Sequence, residues 1–276
     1  MMKHYTLNIR GRLVHFDRPA VMGIVNVTDN SFYAPSRVSD KQALVDRVGD
    51  MLRAGASIID IGACSTRPGS AAPTEEQEAE RLCRAIEAVR ESFGTEVVIS
   101  ADTYRASVAR SAFEAGADII NDVGGGTLDA EMFDTVAELH APYVLMHMRG
   151  TPATMQTMTD YADVTAEVIA DLSYKLRMLS DAGVADVIVD PGFGFAKTLE
   201  QNYSLLSNLN AFSVLGKPVL VGVSHKSMLK AVAADTLAAT TAVNMVALQA
   251  GAAIVRVHEV EAASAAVKVF EMINNL

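Results

Sequence analysis

Tryptophan is absent from the 276 residues and aromatic side chains make up only 6%. A core must therefore be assembled from Ala, Val, Ile, Leu and Met, and with half of the residues hydrophobic the composition is core-forming and not that of a disordered chain. Cysteine is scarce. Cys64 and Cys83 stand in no C-x-x-C spacing, so they supply neither a disulfide framework nor a zinc-finger ligand set, and they fit a reducing, cytoplasmic compartment. Positive charge is also short, with 23 Lys and Arg against 33 Asp and Glu for a net charge of -10. That balance argues against a sequence-independent grip on nucleic acid or on an anionic membrane, and it requires a local basic pocket for any anionic substrate. Long hydrophobic runs are lacking. Residues 237–255 carry no charge, but Thr240, Thr241, Asn244, Gln249 and Gly251 interrupt them, which predicts a buried helix followed by a buried strand instead of a membrane span. The N-terminus has charge but no apolar signal-peptide core, so no export is expected.

What is present is a recurring turn: Ala54-Gly55-Ala56, Ala115-Gly116-Ala117, Ala182-Gly183-Val184 and Ala250-Gly251-Ala252, each followed by a β-branched run. A Gly just past a helical stretch is the usual left-handed residue that ends it, so each copy reads as a helix turning into a strand. Eight strands are predicted at residues 21–27, 57–61, 96–102, 118–121, 142–148, 185–190, 218–223 and 252–258. They are short and almost wholly apolar, as in a parallel sheet covered on both faces. Between them lie helical segments. Ser39 with Gln42 and Thr74 with Gln77 have capping-box spacing, and Ala79, Leu82, Cys83, Ile86, Val89 and Phe93 line one helix face. A strand roughly every thirty residues, each followed by a helix, predicts an α/β fold of the (β/α)₈ TIM-barrel type, one domain spanning residues 1–276. Residues 1–17, with Tyr5, Leu7 and Ile9 alternating before Arg10-Gly11, read as an N-terminal β-hairpin placed against the N-terminal end of the barrel.

A doubly wound sheet shows the same alternation, but its motifs fail. A Walker A loop would need Gly at Pro191 and Ala196, and the third Gly of a dinucleotide fingerprint would fall on Lys197.

In such a barrel chemistry sits at the C-terminal strand ends. In order these carry Asn26, Asp60, Asp102, Asn121-Asp122, His147, Asp190, Ser224-His225-Lys226-Ser227, and Arg256 with His258. Two chemical kinds are present. Asp102, Asn121 and Asp190 suit a buried heterocycle with N–H donors and ring acceptors, whereas Lys226, Arg256, His258, Arg67 and Thr66 suit phosphate oxygens. Each has a plainer reading: Asp60 is read as a helix N-cap, His147 and His258 as candidates for core histidines, Arg67 as a solvated loop residue, the methionines as gap fillers and Cys64 as structural. A Schiff-base aldolase using Lys226, a metal-dependent hydrolase and a non-catalytic pterin or phosphate binder remain open, although no H-x-H or H-E-x-x-H motif supports the hydrolase.

Several motifs then resemble one family along most of the barrel. They are Met22-Gly23-Ile24-Val25-Asn26-Val27-Thr28, Ser65-Thr66-Arg67-Pro68-Gly69, Ser100-x-Asp102-Thr103, Ile120-Asn121-Asp122, Met146-His147-Met148-Arg149-Gly150-Thr151-Pro152, Asp190-Pro191-Gly192-x-Gly194-Phe195, Lys226-Ser227 and Arg256-Val257-His258. On these the sequence resembles the dihydropteroate synthases, the folate-pathway enzymes that sulfonamides target. The resemblance implies condensation of 6-hydroxymethyl-7,8-dihydropterin diphosphate with 4-aminobenzoate, with Mg²⁺ bound and a homodimer as the assembly. It implies that Asp102, Asn121, Asp190 and Lys226 hold the pterin with Met146 packed on its ring. Asn26, Thr66, Arg67, Arg256 and His258 would hold the diphosphate, with Asn26 ligating Mg²⁺. Pro68, Phe195, Lys226 and Ser227 would border the aminobenzoate. Asp102, Lys226 and Arg256 are the implied catalytic residues. Four residues at three places depart from the pattern: Asp29-Asn30 in place of Pro-Asp, His225 in place of Arg, and Glu259 in place of Asp. These departures keep open a pterin-binding paralogue with weak or no synthase activity, while a pterin-dependent methyltransferase is disfavoured by residues 65–69.

Overall fold

The computed structural model describes residues 5–27, 37–64 and 73–274, with side chains from residue 41 onward in the second span. Strands β1 (Tyr5–Ile9) and β2 (Arg12–Phe16) form an antiparallel hairpin. Eight barrel strands follow: β3 (Ala20–Asn26), β4 (Ile58–Gly62), β5 (Val98–Asp102), β6 (Ile119–Asp122), β7 (Tyr143–Met146), β8 (Val187–Asp190), β9 (Leu220–Val221) and β10 (Ile254–Val257). The alternating helices are α1 (Arg37–Ala54), α2 (Glu75–Phe93), α3 (Ala106–Glu114), α4 (Met132–Leu139), α5 (Val164–Asp181), α6 (Leu199–Ser207), the short α7 (Ser227–Lys230), α8 (Thr236–Gln249) and α9 (Val260–Asn274).

All eight strands are parallel, in the order β8-β7-β6-β5-β4-β3-β10-β9, and a bridge between Val189 and Val219 joins the two ends into a closed cylinder. The four recurrent turns behave as their spacing predicts, with Gly55, Gly116, Gly183 and Gly251 at φ of +105°, +118°, +88° and +100°. The Thr74–Gln77 capping box has both of its hydrogen bonds, and a second box, Thr198 with Gln201, opens α6. The Ser39 side chain lies outside the described residues. The uncharged stretch resolves into α8 followed by β10, and among the described residues no helix is long and apolar enough to cross a membrane.

Strand parity sorts the core into two layers. Outward residues such as Val25, Ile59, Ile99, Val189 and Val255 pack with the helices. Inward, one residue from each strand (Met22, Ile58, Val98, Ile119, Val144, Ile188, Leu220 and Ile254) makes an apolar ring near the N-terminal end, and Leu7, Ile9 and Phe16 of the hairpin pack onto it. The barrel is therefore plugged at that end by side chains that bury roughly 1.5–3 kcal/mol each. Its other end is left to chemistry.

Candidate active site

Side chains on a strand return to the same face every second residue, so two positions beyond the apolar ring each strand points inward again. There the residues are Ile24, Asp60, Ser100, Asn121, Met146, Asp190, Gly222 and Arg256. One further step brings Asn26, Gly62 and Asp102, which are register partners on three adjacent strands. The change from an all-apolar ring to a polar one within two residues marks the floor of the site.

Asp60 is at the centre of this layer, and its reading as a helix cap is corrected. It is fully buried, and its carboxylate accepts from Ser100 Oγ at 2.6 Å, from Asn121 Nδ2 at 3.2 Å and from Arg256 Nε at 2.6 Å. Arg256 Nη2 in turn donates to Asp102 Oδ2 at 2.6 Å. A chain Asn121–Asp60–Arg256–Asp102 thus crosses the barrel from β6 to β10, with two carboxylates sharing one guanidinium. Burial pushes the Asp102 carboxyl up to about 7, against the pull of Arg256 in the opposite direction. Arg256 is held firmly protonated by Asp60 and Asp102, and its Nη1 has no partner among the described residues.

Asp190 and Lys226 lie across the mouth. One Asp190 oxygen accepts from the Gly192 N–H at 2.8 Å, and the other has no hydrogen-bond partner among the described residues. Burial raises the Asp190 carboxyl above the ordinary range, while Lys226 pulls it down. The Lys226 ammonium donates to Phe193 O at 2.5 Å and lies 4.7 Å from the centre of the Phe195 ring. Burial lowers it to about 8. Phe195 and Met146 belong to a small apolar cluster with Val123, Met148, Met155 and Ala196.

The loop that carries Phe195 is fixed from below by Lys197, which the motif search used only to reject nucleotide-binding loops. Its Nζ, lowered to about 7 chiefly by burial, lies 2.9 Å from Gly192 O, 3.0 Å from Phe195 O and 3.1 Å from His147 Nδ1. His147 meets Lys197 through Nδ1, and its ring is neutral. Burial first and Lys197 second drive it down to about 2, and it is a core histidine. Gly192 is required where it stands, because a Cβ would come within 2.0 Å of His147 O.

Among the remaining candidates, Asn26 is exposed at the end of β3, and Ser227 is exposed at the start of α7. His258 Nδ1 meets Ser224 Oγ at 3.0 Å, and burial lowers the ring to about 4, so it is neutral near pH 7. Cys64 is free and half-buried, and burial raises its thiol, which fits a structural role. Thr66, Arg67 and Pro68, and the departures Asp29 and Asn30, lie outside the described residues. Cations and carboxylates alternate around one mouth, so the pocket can hold a planar heterocycle deep and an anion toward the rim.

Residues 22–258 match the pterin binding enzyme family. A dihydropteroate synthase from Synechocystis sp. is 41% identical over 259 residues, covering 91% of this chain and 89% of that protein. Among solved structures, Xanthomonas albilineans dihydropteroate synthase with 4-aminobenzoic acid superposes with a TM-score of 0.90 at 35% identity, covering 99% of this chain and 100% of the other. The same enzyme in complex with 7,8-dihydropteroate gives 0.86 at 34% identity, with the same coverage. A match along the whole barrel, together with a polar layer built from the strand ends that carry the motifs, establishes that this chain belongs to the dihydropteroate synthase family of pterin binding enzymes.

Proposed function

We propose that this chain carries out the family's transferase reaction, joining 6-hydroxymethyl-7,8-dihydropterin diphosphate to 4-aminobenzoate to give 7,8-dihydropteroate and pyrophosphate. The observation that carries the reading is the buried Asn121–Asp60–Arg256–Asp102 chain. It presents an amide acceptor, a carboxylate and a cation together at the C-terminal end of the barrel, beside the apolar cluster that holds Met146 and Phe195.

In this reading the pterin lies on the polar layer. Its ring N–H groups meet Asp190, whose second oxygen has no partner among the described residues, and its acceptors meet Lys226 and Arg256 N–H donors. Asn121 contributes its amide carbonyl, since its Nδ2 is engaged by Asp60. Met146 packs beside the ring. Breaking the methylene C–O bond leaves positive charge on the pterin, which the Asp102 carboxylate stabilises while the departing diphosphate draws on Arg256 and His258. Thr66 and Arg67 of the loop after β4 join them. The aromatic amine is mostly neutral at physiological pH and attacks without a dedicated base. Phe195, Lys226, Ser227 and Pro68 border the aminobenzoate, and the Lys197 contacts keep Phe195 in place.

Mg²⁺ fits the donors as part of this proposal. It takes oxygen ligands, keeps several waters and is commonly shared with substrate phosphates, so the exposed amide oxygen of Asn26 at the strand end suits it. When bound it neutralises charge on the leaving diphosphate. A homodimer is supported by the exposed apolar side chains Val246, Val269, Met272 and Ile273 on α8 and α9. A cytoplasmic location is supported by two free cysteines.

The test is pyrophosphate release by the purified protein. It should require the pterin diphosphate, 4-aminobenzoate and Mg²⁺ together; release without aminobenzoate, or none at all, would contradict the reading. A second reading as a Schiff-base aldolase has no support, because Lys226 donates to a backbone carbonyl and the chain matches a different family.

A further inference from the structure

On the rim beside the polar layer, three side chains from two strands converge: His225 after β9, and His258 with Glu259 after β10. One ligating atom from each lies within 4.8 Å of those of the other two. The two imidazole rings stand 5.4 Å apart, centre to centre, inclined at 59°. Two imidazoles that share a tetrahedral ion through one nitrogen each, at bonds of about 2.0–2.1 Å, bring their ring centres to about 5 Å. The rings are therefore already at a ligating separation. Glu259 Oε1 is 2.7 Å from His225 Nε2, a hydrogen bond that a modest side-chain rotation would open to the spacing of two ligands around one ion.

Second partners orient both rings. Thr236 Oγ1 is 3.0 Å from His225 Nδ1, and Ser224 Oγ is 3.0 Å from His258 Nδ1. A hydroxyl either donates to or accepts from Nδ1, so each ring is free to carry its proton there and release the Nε2 lone pair. Ligating histidines are held in this way, with the second nitrogen fixed by a neighbour. The His225 and Glu259 side chains are 35% and 37% exposed, which leaves an ion a path from solvent.

We propose that His225, His258 and Glu259 form a site for a divalent transition-metal ion of the zinc class. Two imidazoles and one carboxylate suit zinc or cobalt, and they do not suit magnesium, which takes oxygen. Three protein ligands leave the fourth position of a tetrahedral ion open for water or an anion. His258 is shared with the diphosphate contact of the proposed reaction, so the metal is tested by binding alone, without substrates.

The experiment is titration of the purified full chain with ZnCl₂ by calorimetry, without substrates, and with CoCl₂ by visible absorption. One saturable Zn²⁺ per chain is expected, with a Co²⁺ spectrum of tetrahedral intensity, both unaffected by excess Mg²⁺. His225→Arg should abolish binding and Glu259→Gln should weaken it strongly. Thr236→Val, which touches only the outer nitrogen of His225, should weaken it by about 10–100-fold. Absence of saturable binding in the parent overturns the proposal. So does an octahedral Co²⁺ spectrum, displacement by Mg²⁺, or binding that His225→Arg leaves intact. Because the decisive spectrum is recorded on the parent, a variant that fails to fold does not rescue the idea.

Discussion

The two ends of this barrel are built by the same eight strands, two residues apart, and they have opposite characters. At the N-terminal end Ile58, Val98, Ile119 and Ile188 meet the hairpin in an apolar plug. Two positions along the same strands, Asp60, Ser100, Asn121 and Asp190 face inward with polar groups, three of them joined in one hydrogen-bonded set. The comparison teaches that strand parity fixes which residues face the interior and that chemistry is decided by the choice of residue at each inward step. The hairpin packs on an apolar ring at one end of the barrel interior, and the inward-facing charged residues Asp60, Asp102, Asp190 and Arg256 stand at the other. That concentration suits a site that must hold an anionic substrate in a protein of net charge -10.

The comparison breaks most sharply if a plug residue changes the chemistry. Ile58→Ala should lower the free energy of unfolding by about 2–5 kcal/mol, through lost burial and the cavity left behind, with kcat unchanged where the variant is folded. Denaturant titration beside steady-state kinetics checks this. Two residues on, Asp60→Asn keeps the shape and should act in the opposite sense. It replaces a charged partner of Arg256 with a neutral one, so kcat/KM for the pterin diphosphate should fall by the equivalent of about 1.5–3 kcal/mol. The denaturation midpoint should stay near that of the parent. A plug variant that lost turnover, or an Asp60 variant that only lost stability, would dissolve the distinction between the ends.

The pH profile sharpens the same contrast. In the proposed reaction Asp102 is ionised to stabilise a cation, and burial raises it to about 7, so kcat/KM should rise with pH through that region. In the same proposal Lys226 is protonated to donate to the pterin, and burial lowers it to about 8, so activity should fall above it. A narrow bell between these values is expected, and Lys226→Arg, permanently charged, should remove its alkaline side if it retains turnover. A flat profile across both values would remove the two groups from their roles. A smaller effect concerns His147, whose folded value of about 2 lies below the ordinary 6.5. Its contribution to stability is present above pH 6.5 and is lost as pH falls below it, because the unfolded ring takes the proton first. His147→Gln should therefore flatten the decline in stability on the acid side, as read by denaturation midpoints between neutral pH and pH 4.

Much of this was legible in the sequence. Four Ala-Gly turns and eight apolar runs give the barrel, and Tyr5, Leu7 and Ile9 give the hairpin. The strand-end polar residues give most of the candidate site, because short parallel strands leave little freedom in where they end. Asp60 was misread because it lies inside its strand, where an isolated carboxylate resembles a cap. Counting two residues on from Ile58 would have placed it in the interior. Lys197 was hidden because its partners are backbone carbonyls and a histidine fifty positions away. The clustering of His225, His258 and Glu259 was hidden because two different strands bring them together, so no short motif contains them.

The central claim is that the polar layer performs the condensation and the plug does not. It is tested most directly by 7,8-dihydropteroate formation from the pterin diphosphate and 4-aminobenzoate, measured for the parent and for Asp102→Asn, with denaturation curves recorded on the same samples. The parent should form dihydropteroate and pyrophosphate in equal amounts. The variant should be slower by a factor of about 10²–10³, the usual cost of losing one preorganised electrostatic contact, and its denaturation midpoint should be no lower. A parent that forms no dihydropteroate, or a variant within a few-fold of it, would contradict the account.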